Sequence, residues 1–364
     1  MKITTDANDL RQMLKTVGKA LENRPISTWM SFVLLEANGN ELRATATNGM
    51  YTLSNSCLCN VFEEGSALLD GKMLCQLAEK LPNGEVTIEV KEKGALLRYG
   101  KSKTKISISE EQFRKPPETK PSTTVMIAAE ELKNLLTTVR YAVSVIEDQR
   151  ATINGILLSI ENQVIRVVAT NSFRLAAKKG LCEADTPIDI IVPGKSADRL
   201  LDALSIKGEE NVQLRTDGKW LEMENGSMRF RTTLLAGKYI EYKRIIPTEF
   251  ETKVLCKSDE LKSAVERTML TGEGTAAIKM HVDSNGMVIR SNNATSESVE
   301  FVDCDVRGND QDVTFNGKYV QAALGAIGNR EAVWVKIPNP VRPTMLVPED
   351  IPDELHMLIP VRTY

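Results

Sequence analysis

The chain has 364 residues, which at roughly 150 residues per domain predicts two or three domains. Its 42% hydrophobic and 26% charged residues are typical of a folded globular protein and exclude a disordered chain. With 46 basic against 49 acidic residues the net charge is −3, so the chain either avoids nucleic acid or confines its positive charge to one face.

Residue types that carry chemistry are sparse. The two histidines, His281 and His356, lie far apart in sequence, which argues against a catalytic or metal site built on several histidines. The six cysteines include no C-x-x-C pair and are typical of reduced thiols filling a core. The N-terminus lacks a signal-peptide run, and no stretch reaches the ~18 apolar residues of a membrane span. We therefore expect a cytoplasmic protein with no metal, no cofactor, no membrane partner and no catalytic residue.

Three segments of the chain have the apolar spacing of an amphipathic helix. These segments are Asp9–Val17, Glu131–Val139 and Glu260–Val265. In the first of them, Leu10, Leu14 and Val17 lie at i, i+4 and i+7, which places them on one helical face. The other two segments begin with the same order of an acidic residue, a leucine and a basic residue, and they predict equivalent helices.

A strand and a second helix then recur at a constant spacing. Strands are predicted at 42–47, 165–170 and 288–293, each 123 positions after the last. Gly-Lys pairs that open a second helical pattern keep the same spacing, with their glycines at Gly71, Gly194 and Gly317. Several matches at one offset and in one order indicate an internal triplication.

Linkers containing proline lie where this period predicts them, at Lys115–Pro121 and Pro247–Thr252. We therefore place three similar domains at residues 1–120, 121–250 and 251–364. Two helices against many antiparallel strands in each domain predict an α+β fold with the helices segregated to one face.

The helices carry basic stripes although the chain is net acidic. In the first helix, Arg11, Lys15 and Lys19 share one face, and each Gly-Lys pair places a lysine at the start of its helix. Such a stripe is often only the solvated face of an amphipathic helix. The alternative is that equivalent helices of all three domains turn a basic face to one polyanion.

Five segments resemble the bacterial sliding clamp family, the β subunit of DNA polymerase III holoenzyme. They are Ile153–Gly155, Ala169–Ala176, Tyr242–Pro247, Phe315–Tyr319 and Leu358–Arg362. The resemblance extends over the whole chain. It implies a DNA-clamp fold of three tandem domains and a head-to-tail homodimeric ring of six domains, with helices on the inner face and antiparallel sheets outside. It also implies that the ring encircles duplex DNA without reading sequence. The polymerase, the clamp loader and repair proteins would bind it through short linear peptides, and no chemical bond would be made or broken.

The resemblance assigns DNA contacts to Arg24 and Lys195, with the helix residues Arg11 and Lys72 as weaker candidates. Two tyrosines that give an additional DNA contact in the family are replaced here by Ala151 and Thr152.

The resemblance also implies a partner-peptide pocket between the second and third domains and at the C-terminus. The matching positions are Ile153, Thr170, Ser172, Phe173, Arg174, Leu175, Ile240, Arg244, Ile245, Pro343, Ile359, Pro360, Val361 and Arg362. Ile240 replaces a usual proline, Phe173 replaces a usual polar residue, and the tail ends in Thr363-Tyr364 instead of a single apolar residue. The peptide preference could therefore differ from that of the family.

A lysine-rich strand at Gly100–Lys105 predicts a dimer interface. Alternation places Lys101, Lys103 and Lys105 on one face, although lysines also protect an edge strand from aggregation. We expect this strand to pair with an acidic edge of the third domain, with two apolar side chains nearby. The residues expected on that partner edge are Met269, Leu270, Glu297, Glu300 and Asp303.

Two other functions are open at this point. One is an enzyme on a triplicated scaffold, which would need a convergent catalytic group. The other is a monomeric peptide-binding adaptor that does not bind DNA. Native mass separates the adaptor from a dimeric clamp.

Overall fold

The computed structural model describes residues 1–92, 94–117, 120–144, 150–205, 208–272 and 277–361. Within these residues, three successive parts of the chain have the same order of elements: one strand, one helix, five strands, one helix and three strands. This order confirms the triplication and the α+β class predicted from sequence. No helix among the described residues is long and apolar enough to cross a lipid bilayer.

The elements have the following bounds. The first part contains β1 (Lys2–Asp6), α1 (Ala7–Val17), β2 (Phe32–Asn38), β3 (Glu41–Thr47), β4 (Tyr51–Leu58), β5 (Asn60–Glu63), β6 (Gly65–Asp70), α2 (Gly71–Lys80), β7 (Glu85–Lys91), β8 (Gly94–Tyr99) and β9 (Ser102–Ile106). The second contains β10 (Thr123–Ala128), α3 (Ala129–Arg140), β11 (Gly155–Glu161), β12 (Val164–Thr170), β13 (Arg174–Leu181), β14 (Glu183–Ala184), β15 (Ile188–Pro193), α4 (Gly194–Leu204), β16 (Asn211–Thr216), β17 (Trp220–Asn225) and β18 (Met228–Thr233). The third contains β19 (Thr252–Lys257), α5 (Ser258–Met269), β20 (Ala277–Asp283), β21 (Gly286–Asn292), β22 (Glu297–Val302), β23 (Cys304–Gly308), β24 (Gln311–Asn316), α6 (Gly317–Ile327), β25 (Ala332–Ile337), β26 (Thr344–Pro348) and β27 (Glu354–Leu358).

The helices form where the apolar spacing predicts them. Helices α2, α4 and α6 begin at Gly71, Gly194 and Gly317. The apolar faces of α1 and α3 are fully buried, and they comprise Leu10, Leu14 and Val17 in α1 and Leu132, Leu136 and Val139 in α3. Burial of these faces against the sheets, more than helix propensity, stabilises helices of this length.

The chain divides into two compact units. Unit 1 consists of residues 1–133, 182–188 and 195–234. It holds a five-stranded sheet in the order β5-β1-β7-β8-β9 and a nine-stranded sheet in the order β14-β10-β16-β17-β18-β4-β3-β2-β6. The strand β18 pairs antiparallel with β4, so strands from the first and second parts of the chain share one sheet.

Unit 2 consists of residues 134–181, 189–194 and 235–364. It holds a nine-stranded sheet in the order β15-β11-β12-β13-β27-β26-β25-β19-β23 and a four-stranded sheet in the order β22-β21-β20-β24. Here β13 pairs antiparallel with β27, which joins strands from the second and third parts of the chain. The second part therefore contributes strands to both units.

Side-chain caps fix the starts of several helices. The Asp70 carboxylate accepts the backbone N–H of Met73 at 2.7 Å and caps α2, and the Asn316 amide oxygen accepts that of Lys318 at 3.0 Å and caps α6. These contacts satisfy backbone donors that have no partner within the helix.

Replacing Asp70 with alanine should lower the free energy of unfolding of unit 1 by about 1 kcal/mol, because the first turn of α2 loses its cap. Thermal and urea unfolding would measure the change. The variant Asp70→Asn keeps a capping oxygen and should lose much less. Equal losses in the two variants would show that the cap contributes nothing.

Candidate functional site

The hairpin between β12 and β13 presents the centre of the predicted peptide pocket. The Thr170 hydroxyl donates to the carbonyl oxygen of Arg174 at 2.8 Å, and the Asn171 side-chain oxygen accepts the N–H groups of Phe173 and Arg174, each at 3.1 Å. These bonds hold a tight turn that leaves the Phe173 side chain 58% exposed. Ser172 at the turn has φ +77°, where the corresponding β3–β4 turn of unit 1 carries Gly49. A side chain there strains the backbone, which is a common property of functional turns.

The guanidinium of Arg174 lies between two tyrosine rings. Its Cζ is 5.2 Å from the ring centroid of Tyr141 and 4.6 Å from that of Tyr319. Phe173 stacks on Tyr319 with centroids 6.5 Å apart. Burial lowers the pKa of Arg174, but an arginine of this kind keeps its charge. Its Nε is buried, and among the described residues no acceptor bonds to it.

The apolar floor of the pocket belongs to the core of unit 2. Leu175 is fully buried in a cluster with Tyr239, Tyr242 and Met357, and Ile240 packs against that cluster. Burial raises the pKa values of both tyrosines, so they remain neutral. Ile153 is also fully buried. These side chains lie in the floor of the predicted pocket, and their burial leaves the more exposed residues as the candidate ligand contacts.

Exposed apolar side chains form the rim. Besides Phe173, they are Ile245, Ile359 and Val361. The Ile359 N–H donates to the carbonyl oxygen of Phe173 at 2.9 Å, which joins the tail to the hairpin. The Val361 N–H donates to the carbonyl oxygen of Thr314 at 2.7 Å.

The remaining predicted pocket residues lie around this rim. Pro343 and Pro360 are partly exposed. Arg244 is exposed, and its Nε bonds to a carboxylate oxygen of Glu241 at 2.7 Å. Arg362 lies outside the described residues, as do Thr363 and Tyr364.

A cleft of about 630 Å³ adjoins the floor and was not predicted from sequence. Ile240 and Arg244 line it together with Leu157, Ser159 and Asp189. The strand residues gave no signal, because alternating positions in a buried strand look alike whether they face a core or a cleft.

The predicted DNA-contact residues differ in availability. Arg24, Lys72 and Lys195 are exposed. Arg11 is partly buried, and its guanidinium donates to the carbonyl oxygens of Ala78 at 3.3 Å and Leu81 at 2.6 Å, at the end of α2. Arg11 therefore has a structural role that its place on the stripe did not reveal.

Acidic side chains reduce the charge of the stripes. Asp202 lies 2.6 Å from the Arg199 guanidinium and 3.8 Å from the Lys19 ammonium. Part of the basic surface in unit 1 is therefore paired within the chain.

The predicted lysine edge exists, with one correction. The strand β9 ends the five-stranded sheet, and Lys103 and Lys105 are exposed on it opposite Arg98 and Leu96 of β8. Lys101 is exposed but lies in the turn before β9, because Gly100 adopts φ +55° and the strand starts at Ser102. The single-face prediction therefore applies to Lys103 and Lys105 only.

The predicted acidic edge ends the four-stranded sheet of unit 2. Glu297 and Asp303 are exposed, but the Glu300 carboxylate is held by the Arg267 guanidinium at 2.7 and 3.0 Å. Met269 is partly buried, and Leu270 is 83% exposed. Phe301 on β22, which sequence reasoning missed, is 77% exposed. Large apolar side chains this exposed beside an edge strand indicate an interaction surface.

Comparison with known proteins matches almost the whole chain. Family models for the N-terminal, central and C-terminal domains of the DNA polymerase III beta subunit match residues 1–114, 126–241 and 243–362. The beta sliding clamps of Staphylococcus epidermidis and Staphylococcus aureus are 25% and 26% identical to it, over the full length of both chains.

Solved structures agree with these matches. The Pseudomonas aeruginosa sliding clamp bound to griselimycin superposes with a TM-score of 0.94 at 25% identity, covering all of both chains. The Bacillus subtilis sliding clamp superposes with a TM-score of 0.95 at 22% identity over the same extent, which supports the fold.

Proposed function

This chain belongs to the DNA polymerase III beta subunit family, and from that membership we propose that two copies of it close a ring around duplex DNA. It is a DNA sliding clamp, a non-catalytic processivity factor, and the family of clamps binds DNA and replication partners. The ring consists of six domains, three from each copy, with boundaries at residues 1–120, 121–250 and 251–364. The helices face the DNA, and the compartment is the cytoplasm, where bacterial DNA is replicated.

One observation carries the closed ring: each unit has a sheet that ends in an exposed edge strand of complementary character. In unit 1 the edge is β9, with Lys103 and Lys105. In unit 2 it is β22, with the exposed Phe301 and the acids Glu297 and Asp303 nearby. Pairing β9 of one copy with β22 of the other gives two equivalent contacts related by a twofold axis. The apolar side chains supply burial, and the opposite charges select the partner edge.

DNA is held by containment and by weak phosphate contacts. The exposed Arg24, Lys72 and Lys195 are the proposed contacts, because a mobile side chain can follow successive phosphates as the ring slides. Phosphate contacts carry no sequence information and weaken as salt rises. Arg11 remains a weaker candidate because its guanidinium donors already bond to α2.

The peptide pocket tethers the partners. Its proposed contact groups are the Arg174 guanidinium and the exposed side chains Phe173, Ile245, Ile359 and Val361. An apolar groove with an arginine donor suits a short peptide that carries one or two apolar anchors and a carboxylate or amide oxygen. We expect micromolar affinity, so that polymerase, clamp loader and repair proteins exchange.

Sedimentation velocity of the unmodified protein at micromolar concentration tests the proposal. A dimer mass, twice the 40.3 kDa of one chain, is expected. A monomer at that concentration would overturn the ring and favour the peptide-binding adaptor, which the family comparisons do not favour.

A further inference from the structure

Three buried polar side chains of unit 2 lie behind Arg174 on one face of the β13–β27 pair. The register places Lys178 opposite Glu354 and Ala176 opposite His356. Side chains alternate along a strand, so these residues share a face with Arg174. Lys178, Glu354 and His356 are only 5%, 1% and 0% exposed, which is exceptional for such polar residues.

Hydrogen bonds join these side chains into one chain that ends at Tyr141. The Lys178 ammonium donates to one oxygen of Glu354 at 2.8 Å, and the other oxygen lies 3.0 Å from His356 Nε2. The second ring nitrogen of His356, Nδ1, lies 2.9 Å from the Tyr141 hydroxyl. An ionised carboxylate only accepts, so Nε2 is the donor to Glu354. In the neutral ring Nδ1 then accepts, and the Tyr141 hydroxyl donates to it.

The charges of Lys178 and Glu354 compensate each other, and each group of the network holds its proton where its hydrogen bond requires it. Burial acts to raise the pKa of Glu354, but the hydrogen bonds from His356 and Lys178 outweigh it and the pKa is lowered, so the carboxylate stays ionised beside the ammonium. Burial raises the pKa of Tyr141, which keeps its hydroxyl protonated and able to donate. Lys178 has a further acceptor in the Asn134 side-chain oxygen at 3.1 Å on α3. Each polar group therefore has a defined partner.

Stability alone is a weak reason for such an arrangement. A buried ion pair typically adds little net stability compared with apolar side chains of the same volume. These hydrogen-bonded side chains do fix the position of the Tyr141 ring, because its hydroxyl donates to His356 Nδ1 on the strand β27. That ring is one of the two faces that hold the Arg174 guanidinium. Donation from the hydroxyl also makes the ring richer in electrons, which strengthens its attraction for the cation.

We propose that the Lys178–Glu354–His356 chain, acting through Tyr141, positions Arg174 to receive a carboxylate or amide oxygen of a partner peptide. The inference rests on the proposed peptide pocket. Lys178, Glu354, His356 and Tyr141 are positioning residues, and none of them touches the peptide. The Arg174 guanidinium, which belongs to a partly buried residue, is the donor group that this arrangement keeps in place.

A double-mutant cycle between Tyr141 and Arg174 tests the proposal. The probe is a fluorescein-labelled peptide of the last ten residues of the host's replicative polymerase, and binding is followed by anisotropy on the full-length dimer. The variant Tyr141→Phe keeps the ring and removes only the hydroxyl, so it should fold and bind the peptide about fivefold more weakly. Arg174→Ala should bind at least tenfold more weakly. The double variant should bind like Arg174→Ala alone, because the hydroxyl acts through the arginine.

A loss from Tyr141→Phe that is equally large with and without Arg174, or no loss at all, would overturn the proposal. Ile289→Val is the stability control, because Ile289 lies in the core of unit 2 and is not part of the hydrogen-bonded Lys178–Glu354–His356 network. It should lower the thermal midpoint without changing peptide affinity.

A second measurement does not depend on the peptide. The Nε–H resonance of Arg174, assigned by its disappearance in Arg174→Ala, should be shifted by the two tyrosine rings. It should move in both Tyr141→Phe and His356→Gln. An unchanged resonance would overturn the positioning role. Failure of the unmodified protein to bind the peptide would instead overturn the proposed pocket, while the resonance still decides the position of Arg174.

Discussion

Deletion of Pro360–Tyr364 should abolish binding of the polymerase-tail peptide while the protein keeps its dimer mass. The deletion removes the exposed Val361 from the rim, together with Arg362. Loss of apolar and arginine anchors of this kind costs about 3 kcal/mol, or more than a hundredfold in Kd. The described part of the segment makes one backbone bond to the rest of unit 2, from Val361 N–H to Thr314, so stability should fall by only about 1 kcal/mol.

Peptide anisotropy, sedimentation and thermal unfolding separate the possible results. The matched control is Val341→Ala, which truncates an exposed valine outside the predicted pocket and should leave peptide binding unchanged. Retained binding in the deletion variant would refute the pocket assignment. Loss of binding, dimer mass and thermal midpoint together would instead show that the tail is a closing segment of the fold.

The double variant Leu270→Asp and Phe301→Asp should convert the dimer into monomers. Both side chains are exposed in the single chain and are proposed to be buried against β9 of the second copy. The replacement removes the burial of two large apolar side chains and adds the desolvation of two carboxylates, which together cost several kcal/mol on association and are enough to dissociate a micromolar dimer. Reversing Lys101, Lys103 and Lys105 to glutamate should weaken the dimer less, because exposed ion pairs contribute about 0–1 kcal/mol each.

Phe62→Asp is the control for this experiment. Phe62 is exposed on β5, the opposite edge of the same sheet that β9 ends. Sedimentation should show a dimer for this control and a monomer for the double variant. A dimer in the double variant would place the interface elsewhere.

The parts of the fold that could be predicted from sequence are those set by neighbouring residues. The starts of α2, α4 and α6 at Gly71, Gly194 and Gly317 depend on neighbouring residues, namely a helical apolar spacing after a strand. The pairing of β18 with β4 and of β13 with β27 depends on segments over a hundred residues apart. No local pattern encodes such a pairing, so the shared sheets could not be predicted.

The site was predictable where the resemblance supplied positions and not where polar residues are buried. Phe173 and Arg174 could be named from the motif that contains them. Lys178 and Glu354 look like surface residues in sequence. Only the register of β13 against β27 shows that they form an ion pair in the interior. For Arg11 the sequence suggested a free surface charge, and its place on a basic stripe gave no sign that its donors bond to the end of α2.

Retention on circular DNA tests the sliding clamp most directly. The protein should be loaded by a clamp loader onto a nicked circular duplex, separated from free protein by gel filtration, and followed before and after a restriction enzyme cuts the circle. We expect it to stay with the circle in salt that abolishes its weak affinity for linear duplex, and to leave once the circle is cut. Release from intact circles at that salt, or tight sequence-specific binding to a short linear duplex, would contradict the account.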